Sequence, residues 1–210
     1  MAKAGPARRS ARTLVVVPDA VVARRAAWVT RRQMAVAPIA PTPFKETGDV
    51  DLEGQRRVMD CMVDQGVDAI CILANYSEQF ALTDSERRAV LDACLDAVAG
   101  RVPVIVTVSH FATRVACDRA RDAASAGASM LMLMPPYHGA TLRADEGQVI
   151  EHFAAVAGAS GLPIMVQDAP MAGTPMTVPF LVRLGAAVPL VRAFKVEVAG
   201  AATKLRALIE

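Results

Sequence analysis

Lys195 is the residue best suited to covalent chemistry in this chain of 210 residues. It lies in a short apolar run, VPLVRAFKVEV at residues 188–198. Burial disfavours the charged form of an amine and leaves it nucleophilic, so that it can condense with a carbonyl compound as a Schiff base. The alternative is a lysine at a strand end, with a packed stem and a head that reaches water. The polar residues around Lys195 must decide between the two.

Polar side chains also close the other apolar runs. Glu197 follows Lys195 by two residues and would lie on the same face of a strand. The remaining candidates supply hydroxyl, amide, imidazole and carboxylate groups, which bind carboxylates and hydroxyls and transfer protons. They are Thr42, Asn75, Tyr76, Ser77, Glu78, His110, Tyr137, His138, Gln167 and Asp168. Together with a nucleophilic lysine, these groups suit a 2-keto acid that carries further hydroxyls.

The apolar runs recur at a regular interval. They begin near residues 35, 69, 102, 130, 164 and 191, about thirty residues apart. That is the length of one strand and one helix, and repeated units with continuous apolar strands indicate a parallel sheet buried on both faces. Six such units are visible.

Helix-end signals fit the same period. Thr83 and Glu86 have the capping-box pattern, Asp145 places an acid at the start of a later helix, and Thr113 is expected to cap the helix between them. Glycines fall between each helix and the next strand, where a left-handed residue is needed to end a helix. They are Gly66, Gly100, Gly127 and Gly161.

An open doubly wound sheet and a closed barrel both repeat such units. The first strand is not followed by GxGxxG, and no phosphate-binding loop motif occurs, so the sequence favours the barrel. An eight-stranded barrel needs about 250 residues. We therefore expect an α/β protein, a (β/α)8 TIM barrel that is C-terminally truncated to about six β/α units. Its chemistry would lie at the carboxyl ends of the strands, where the polar candidates fall.

The first 34 residues differ in composition from the rest. Residues 1–33 hold eight Lys or Arg against one acid, whereas the remaining residues hold 15 basic and 20 acidic side chains. We expect residues 1–34 to be a basic, disordered extension and residues 35–210 to form the partial barrel domain. No apolar segment approaches the roughly 20 residues that cross a bilayer. Neither a membrane nor a nucleic acid is expected as a partner.

The cysteines and histidines indicate the cellular compartment of the protein and whether it binds a metal or another cofactor. The four cysteines lack CxxC spacing, which indicates reduced thiols in a cytoplasmic protein. The three histidines are scattered and form no metal-ligand pattern. We expect a reaction that uses no metal and no cofactor.

From about residue 36 to residue 210, the sequence resembles the dihydrodipicolinate synthase / N-acetylneuraminate lyase superfamily of Schiff-base barrel enzymes. The matching landmarks follow one another in the family order. They are TPF at residues 42–44, GDVD at 48–51, Glu78 with LTDSER at 82–87, GRVPV at 100–104, AGA at 126–128, PY at 136–137 and FK at 194–195. The resemblance implies that Lys195 forms the Schiff base.

Two departures from the family pattern point to a particular reaction. ANYSE at residues 74–78 stands where synthases and lyases usually have GTTGE, and QDAP at 167–170 stands where they have YNxP. Gln167 thus replaces the tyrosine that relays protons in aldol chemistry, and an amide cannot transfer a proton as a phenol does. With residues 71–80, 109–111, 134–141 and 166–170, the sequence looks most similar to the superfamily's L-2-keto-3-deoxyarabonate dehydratases.

That resemblance implies a hydro-lyase. Lys195 would attack the C2 ketone, C3 would lose a proton, and the C4 hydroxyl would leave as water, giving 2-oxoglutarate semialdehyde after hydrolysis. Residues 75–77 would hold the substrate carboxylate, and His138, beside the family tyrosine Tyr137, would assist departure of the hydroxyl. Gln167 would orient a hydroxyl, and Glu197 would hold Lys195 or bind a hydroxyl. Full-length relatives are commonly homo-oligomers.

Other readings stay open at this point. The chain could instead be a pyruvate-dependent aldolase or a dihydrodipicolinate synthase-like enzyme. It could also be a non-catalytic truncated remnant that is stable only when it associates with a partner or with another copy of itself. Residues 75–77 could form an ordinary strand-to-helix loop, and His138 could only hydrogen-bond a loop. His110 is a weaker candidate for a direct role, and His152 is expected to be a partly exposed surface residue on a helix.

Overall fold

The computed structural model describes residues 14–16, 35–138 and 142–209, with the side chains of residues 35–136 and 143–209. Strands and helices alternate through most of this part, as the thirty-residue period predicts. The strands are β1 Leu14–Val16, β2 Ile70–Ile72, β3 Val104–Thr107, β4 Met130–Leu133, β5 Tyr137–His138, β6 Leu142–Arg143, β7 Ile164–Asp168 and β8 Val191–Val196. The helices are α1 Leu52–Asp64, α2 Asp84–Val98, α3 Thr113–Ala126, α4 Glu146–Ser160, α5 Val178–Ala187 and α6 Ala201–Ile209.

The main sheet has the order β1-β8-β7-β4-β3-β2. Strands β2, β3, β4, β7 and β8 run parallel to one another, and β1 pairs antiparallel with β8 at one end of the sheet. Residues 36–40 extend the sheet beyond β2 through a parallel bridge between Ile39 and Cys71 and a hydrogen bond from the Ala40 N–H to the Cys71 carbonyl, 2.8 Å. Strands β5 and β6 form a separate antiparallel pair. The expectation of an α/β fold with a parallel sheet is confirmed.

Every residue of β2, β3, β4 and β7 is buried, because the sheet has apolar layers on both faces. The larger core packs one face against the helices. The smaller core lies on the other face, and it contains Ala69, Cys71, Ala74, Ile105, Met130, Met132, Met165 and Ala193. Side chains alternate along a strand, so Gln167 and Lys195, each two residues beyond a member of the smaller core, face the same interior.

The helix-end predictions are confirmed with one exception. Thr83 and Glu86 form a capping box, Asp145 forms another with Gln148, and the four predicted glycines have positive φ. The exception is α3, whose N-cap residue is Ala112 with no capping side chain. Thr113 is the first residue of the helix, and its hydroxyl is instead 2.9 Å from Nδ1 of His152.

The prediction that His152 is a partly exposed surface residue is wrong. Its side chain lies between α3 and α4 and is only 2% exposed. Burial lowers the pKa of His152 to about 4. The reason for the error is that the polar imidazole falls on the helix face that also carries Val149 and Phe153, and Thr113 supplies it with a hydrogen-bond partner inside the protein.

Three residues of the basic N-terminal segment are described. Leu14–Val16 forms β1 and pairs antiparallel with β8, with Leu14 opposite Lys195. The other residues of the segment lie outside the described part, and the boundary at residue 34 stays a prediction. Within the described residues, none of the helices combines the length and the apolar character that a membrane span requires.

Candidate active site

Lys195 and Glu197 form an ion pair in the interior of the sheet. Lys195 Nζ lies 2.6 Å from Glu197 Oε1, and each side chain is only 14% exposed. Lys195 belongs to β8 and Glu197 is the first residue after it, two residues along and therefore on the same face. The head of Lys195 does not extend into water, which removes the alternative of a lysine with a packed stem and a solvated charge.

Gln167 completes this cluster from the neighbouring strand. It is opposite Lys195 in the register of β7 and β8, and its Nε2 donates to Glu197 Oε2 at 2.8 Å. The residue is 1% exposed, and its Oε1 accepts no hydrogen bond from the described part of the chain. The structure thus brings together Lys195, Glu197 and Gln167, as the sequence predicts.

A cavity of about 110 Å³ opens beside Lys195. Its lining is mainly apolar and sulfur-rich, and includes Cys71, Met132 and Met165. Cys71 Sγ is 3.8 Å from Thr107 Oγ1, and burial raises the pKa of the Cys71 thiol to about 11. The thiol is therefore protonated near neutral pH, and a protonated thiol is a poor nucleophile.

The turn after β2 is fixed by its own hydroxyls. Thr42 Oγ1 donates to the Ser77 carbonyl at 2.8 Å, and Ser77 Oγ donates to the Ala40 carbonyl at 2.6 Å. Both side chains are buried. Because each hydroxyl proton is already given to a carbonyl, Thr42 and Ser77 hold the turn in position, and donation of that proton to a substrate carboxylate would need a different hydroxyl rotamer.

The other residues of this turn differ in exposure. Asn75 accepts from Gln79 Nε2 at 2.6 Å and directs its own Nδ2 toward Met134 Sδ at 3.6 Å. Tyr76 is 65% exposed. Glu78 is exposed and adopts a left-handed backbone with φ 57°. Asn75 thus contacts Met134, the residue that follows β4.

His110 is half-buried at the end of the loop that follows β3. Its Nδ1 accepts a hydrogen bond from the Ala112 N–H at 2.9 Å, so the ring uses this nitrogen to order the start of α3. Burial lowers the pKa of His110, and the nearby guanidinium of Arg119 lowers it further. The imidazole is therefore neutral around pH 7. A direct role for it stays a prediction.

Asp168 has a structural partner that the sequence does not reveal. Lys204 Nζ on α6 lies 2.5 Å from Asp168 Oδ2 and also donates to the Met176 carbonyl. Asp168 is 2% exposed, and its carbonyl accepts from the Glu197 N–H at 2.9 Å. The carboxylate thus joins α6 to the sheet and its carbonyl fixes the backbone at Glu197. Substrate binding by Asp168 stays a prediction.

Tyr137 and His138 lie on β5, opposite Arg143 and Leu142. The described part of the molecule includes their backbone, and their side chains lie outside it. The catalytic roles expected for the phenol and the imidazole therefore stay predictions.

Two arginines support the strand ends, and the sequence gives little sign of them. Arg87 is 4% exposed and donates to the Thr107 carbonyl at 2.8 Å. Arg119 donates to the Ser109 carbonyl at 3.0 Å and pairs with Asp84. Ser109 Oγ in turn accepts from the Met134 N–H at 2.9 Å. The only available signal is that Arg87 belongs to the LTDSER motif.

The arrangement can support amine chemistry on a carbonyl compound. It has the amine of a lysine, a carboxylate next to it, an amide oxygen that receives no hydrogen bond from the described residues, and a mainly apolar cavity. Among the residues with described side chains, no three of His, Cys, Asp and Glu are grouped as metal ligands would be.

Comparison with known proteins places the chain in a family. The model of the dihydrodipicolinate synthetase family matches residues 32–209. L-2-keto-3-deoxyarabonate dehydratase of Azospirillum brasilense is 52% identical over 180 residues, 86% of this chain and 58% of that protein. 4-Hydroxy-tetrahydrodipicolinate synthase of Salinibacter ruber is 36% identical over 135 residues, 64% of this chain and 44% of that protein.

Solved structures share the fold. The dihydrodipicolinate synthase of Aquifex aeolicus superposes with a TM-score of 0.76 at 26% identity, covering 84% of this chain and 59% of that one. This confirms the expected barrel class. The chain spans 44–58% of the length of the two curated relatives above. With its fold, its order of motifs and its lysine on β8, the chain belongs to the dihydrodipicolinate synthetase family.

Proposed function

We propose that this protein is a Schiff-base hydro-lyase that dehydrates a 2-keto-3-deoxy sugar acid, converting L-2-keto-3-deoxyarabonate to 2-oxoglutarate semialdehyde. The observation that carries the proposal is the enclosed pair of Lys195 and Glu197, 2.6 Å apart, beside a cavity. A nucleophile and a proton acceptor in contact are the two groups that the reaction requires. The 52% identity to a dehydratase of this name supports the choice of substrate.

The chemistry proceeds from the amine. Lys195 Nζ attacks the C2 ketone, and loss of water gives an iminium that acidifies the hydrogens on C3. Glu197 accepts one C3 proton, and the electron pair of that C–H bond forms the C2=C3 double bond of an enamine. The enamine then expels the C4 hydroxyl, which takes up a proton and leaves as water. Tautomerisation moves the unsaturation to the C5 aldehyde, and hydrolysis frees Lys195.

Gln167 favours dehydration over aldol chemistry. The family resemblance implies a tyrosine at this position in synthases and lyases, and a phenol can carry a proton to and from an aldol oxygen. The carboxamide of Gln167 cannot do so. The aldolase alternative is supported by 36% identity to a 4-hydroxy-tetrahydrodipicolinate synthase, and it predicts release of pyruvate. Detection of semialdehyde without pyruvate distinguishes the two reactions.

We infer further that the protein acts in the cytoplasm and as a homo-oligomer. All four cysteines are free thiols, and three of them are buried, which fits a reducing compartment. The homo-oligomer rests on the family resemblance, and sedimentation analysis tests it.

Borohydride trapping tests the proposed function. The full chain is incubated with 2-keto-3-deoxy-L-arabonate and sodium borohydride, and the adduct is located by intact mass and peptide mapping. We expect one adduct, on Lys195, that is absent from Lys195→Ala and retained in Lys45→Ala, an exposed lysine. A folded protein that gives no adduct, or gives one on another lysine, would contradict the mechanism and favour a non-catalytic remnant.

A further inference from the structure

The amide of Gln167 has a fixed orientation. Glu197 Oε1 lies 2.6 Å from Lys195 Nζ, and the carboxylate of an ion pair only accepts hydrogen bonds. The group of Gln167 that lies 2.8 Å from Glu197 Oε2 must therefore be the NH2 group. Its Oε1 consequently points elsewhere in the interior.

That oxygen lacks a donor in the described part of the chain. Gln167 is 1% exposed, so bulk water does not satisfy it. A buried acceptor without a donor costs free energy, and its presence beside a reactive amine indicates that a bound molecule supplies the hydrogen. The donor must be small enough to share the interior with Lys195.

We propose that Gln167 is a specificity-determining residue whose Oε1 accepts a hydrogen bond from the C4 hydroxyl of the substrate. This inference rests on the proposed function. Gln167 and Lys195 are opposite each other on neighbouring strands. A substrate joined to Lys195 through C2 has C4 only two bonds away, within reach of the adjacent side chain.

The same amide then connects the carboxylate to the leaving group. Its Nε2 binds Glu197 while its Oε1 takes the hydrogen of the C4 hydroxyl, which leaves the lone pairs of that hydroxyl free. Glu197, protonated by the transfer from C3, gives this proton to the C4 oxygen. The C4–O bond breaks as the enamine electrons form the C3=C4 bond, and one water departs with no oxidant or reductant.

The test compares two probes that differ only at C4. The half-saturating concentration for borohydride trapping on Lys195 is measured with 2-keto-3-deoxy-L-arabonate and with 5-hydroxy-2-oxopentanoate. In the unmodified protein we expect the C4 hydroxyl to lower this concentration about tenfold, the effect of one buried hydrogen bond. In Gln167→Met, which keeps the length of the side chain, the two probes should agree within about twofold.

Gln55→Met is the matched control. Gln55 is also 1% exposed, and its Oε1 receives no hydrogen bond from the residues that the structure describes, but it lies on α1. It should keep the tenfold preference. The inference is overturned if the unmodified protein does not distinguish the probes, a result that needs no variant to fold, or if Gln167→Met weakens both probes equally. Absence of any Lys195 adduct with both probes in the folded, unmodified chain refutes the proposed function itself.

Discussion

At the scale of single residues, the proposed reaction requires Glu197 as a proton acceptor in addition to the amine of Lys195. A lysine enclosed in an apolar cavity is a nucleophile without a proton acceptor. In the proposed mechanism Glu197 is that acceptor, because its Oε1 lies 2.6 Å from Lys195 Nζ. Gln167 holds the carboxylate in this position by donating a hydrogen bond from Nε2 to Oε2. In the proposed mechanism the carboxylate thus has two separable functions: it pairs with the amine before substrate binds, and it accepts the C3 proton afterwards.

Substitution Glu197→Gln should separate these functions. The amide keeps the size of the side chain but accepts protons poorly, so dehydration should slow by about 10²–10⁴, the usual contribution of a general base. Imine formation needs only the amine, so borohydride should still trap an adduct on Lys195. Semialdehyde production and trapping are measured on the same preparation. Equal loss of both would show that Glu197 acts in imine formation rather than in proton removal.

At the scale of secondary-structure elements, α2 and α3 hold the carboxyl ends of the strands. Arg87 is buried and donates to the carbonyls of Thr107 and Gln79, at 2.8 and 3.4 Å. Arg88, the next residue on the same helix, makes its ion pairs with Asp92 and Asp122 on the exposed surface. Of these two adjacent arginines, Arg87 therefore hydrogen-bonds backbone carbonyls in the interior, whereas Arg88 forms ion pairs at the surface.

Replacing each arginine by methionine should show the difference. Arg87→Met removes two buried hydrogen bonds to backbone carbonyls, and we expect a loss of about 2–4 kcal/mol in the free energy of unfolding. Arg88→Met removes exposed ion pairs and should cost less than about 1 kcal/mol. Urea denaturation followed by circular dichroism measures both. Similar losses in the two variants would mean that the strand ends do not depend on Arg87.

At the scale of the whole molecule, stability should fall in acid because His152 is buried between two helices. Folding lowers the pKa of His152 from 6.5 to about 4, so the folded state binds its proton less readily than the unfolded state. The contribution of the neutral imidazole is complete above pH 6.5 and is lost as the pH falls from 6.5 toward 4. The difference between the two pKa values of His152 corresponds to about 3 kcal/mol in the free energy of unfolding.

The variant His152→Gln, which stays neutral, isolates this contribution. Unfolding free energies of both proteins are measured between pH 7.5 and pH 4.5. Both proteins contain the same carboxylates, so the effects of those groups on stability cancel when the two free energies are subtracted. The difference in unfolding free energy between the unmodified protein and the variant should become smaller as the pH falls. A constant gap would show that the imidazole gains its proton as easily in the folded protein as in the unfolded one.

The period of apolar runs, the capping residues and the helix-ending glycines are local features, and they determined the alternation of strands and helices without reference to distant contacts. The alternation along β7 and β8 likewise placed Lys195, Gln167 and Glu197 on one face, because side chains in a strand point to opposite sides in turn. Most of the candidate site could be predicted for this reason.

Only the tertiary structure decided what each polar side chain meets. The hydroxyls of Thr42 and Ser77 bond to backbone carbonyls, Asp168 is joined to Lys204 across 36 residues of sequence, and His152 is enclosed by a neighbouring helix. Such pairs form between segments that are far apart in the chain, so no local sequence pattern predicts them. The sequence determined which groups reach the interior, and packing determined that, in the cluster of Lys195, Glu197 and Gln167, the Gln167 oxygen receives no hydrogen bond from the described residues.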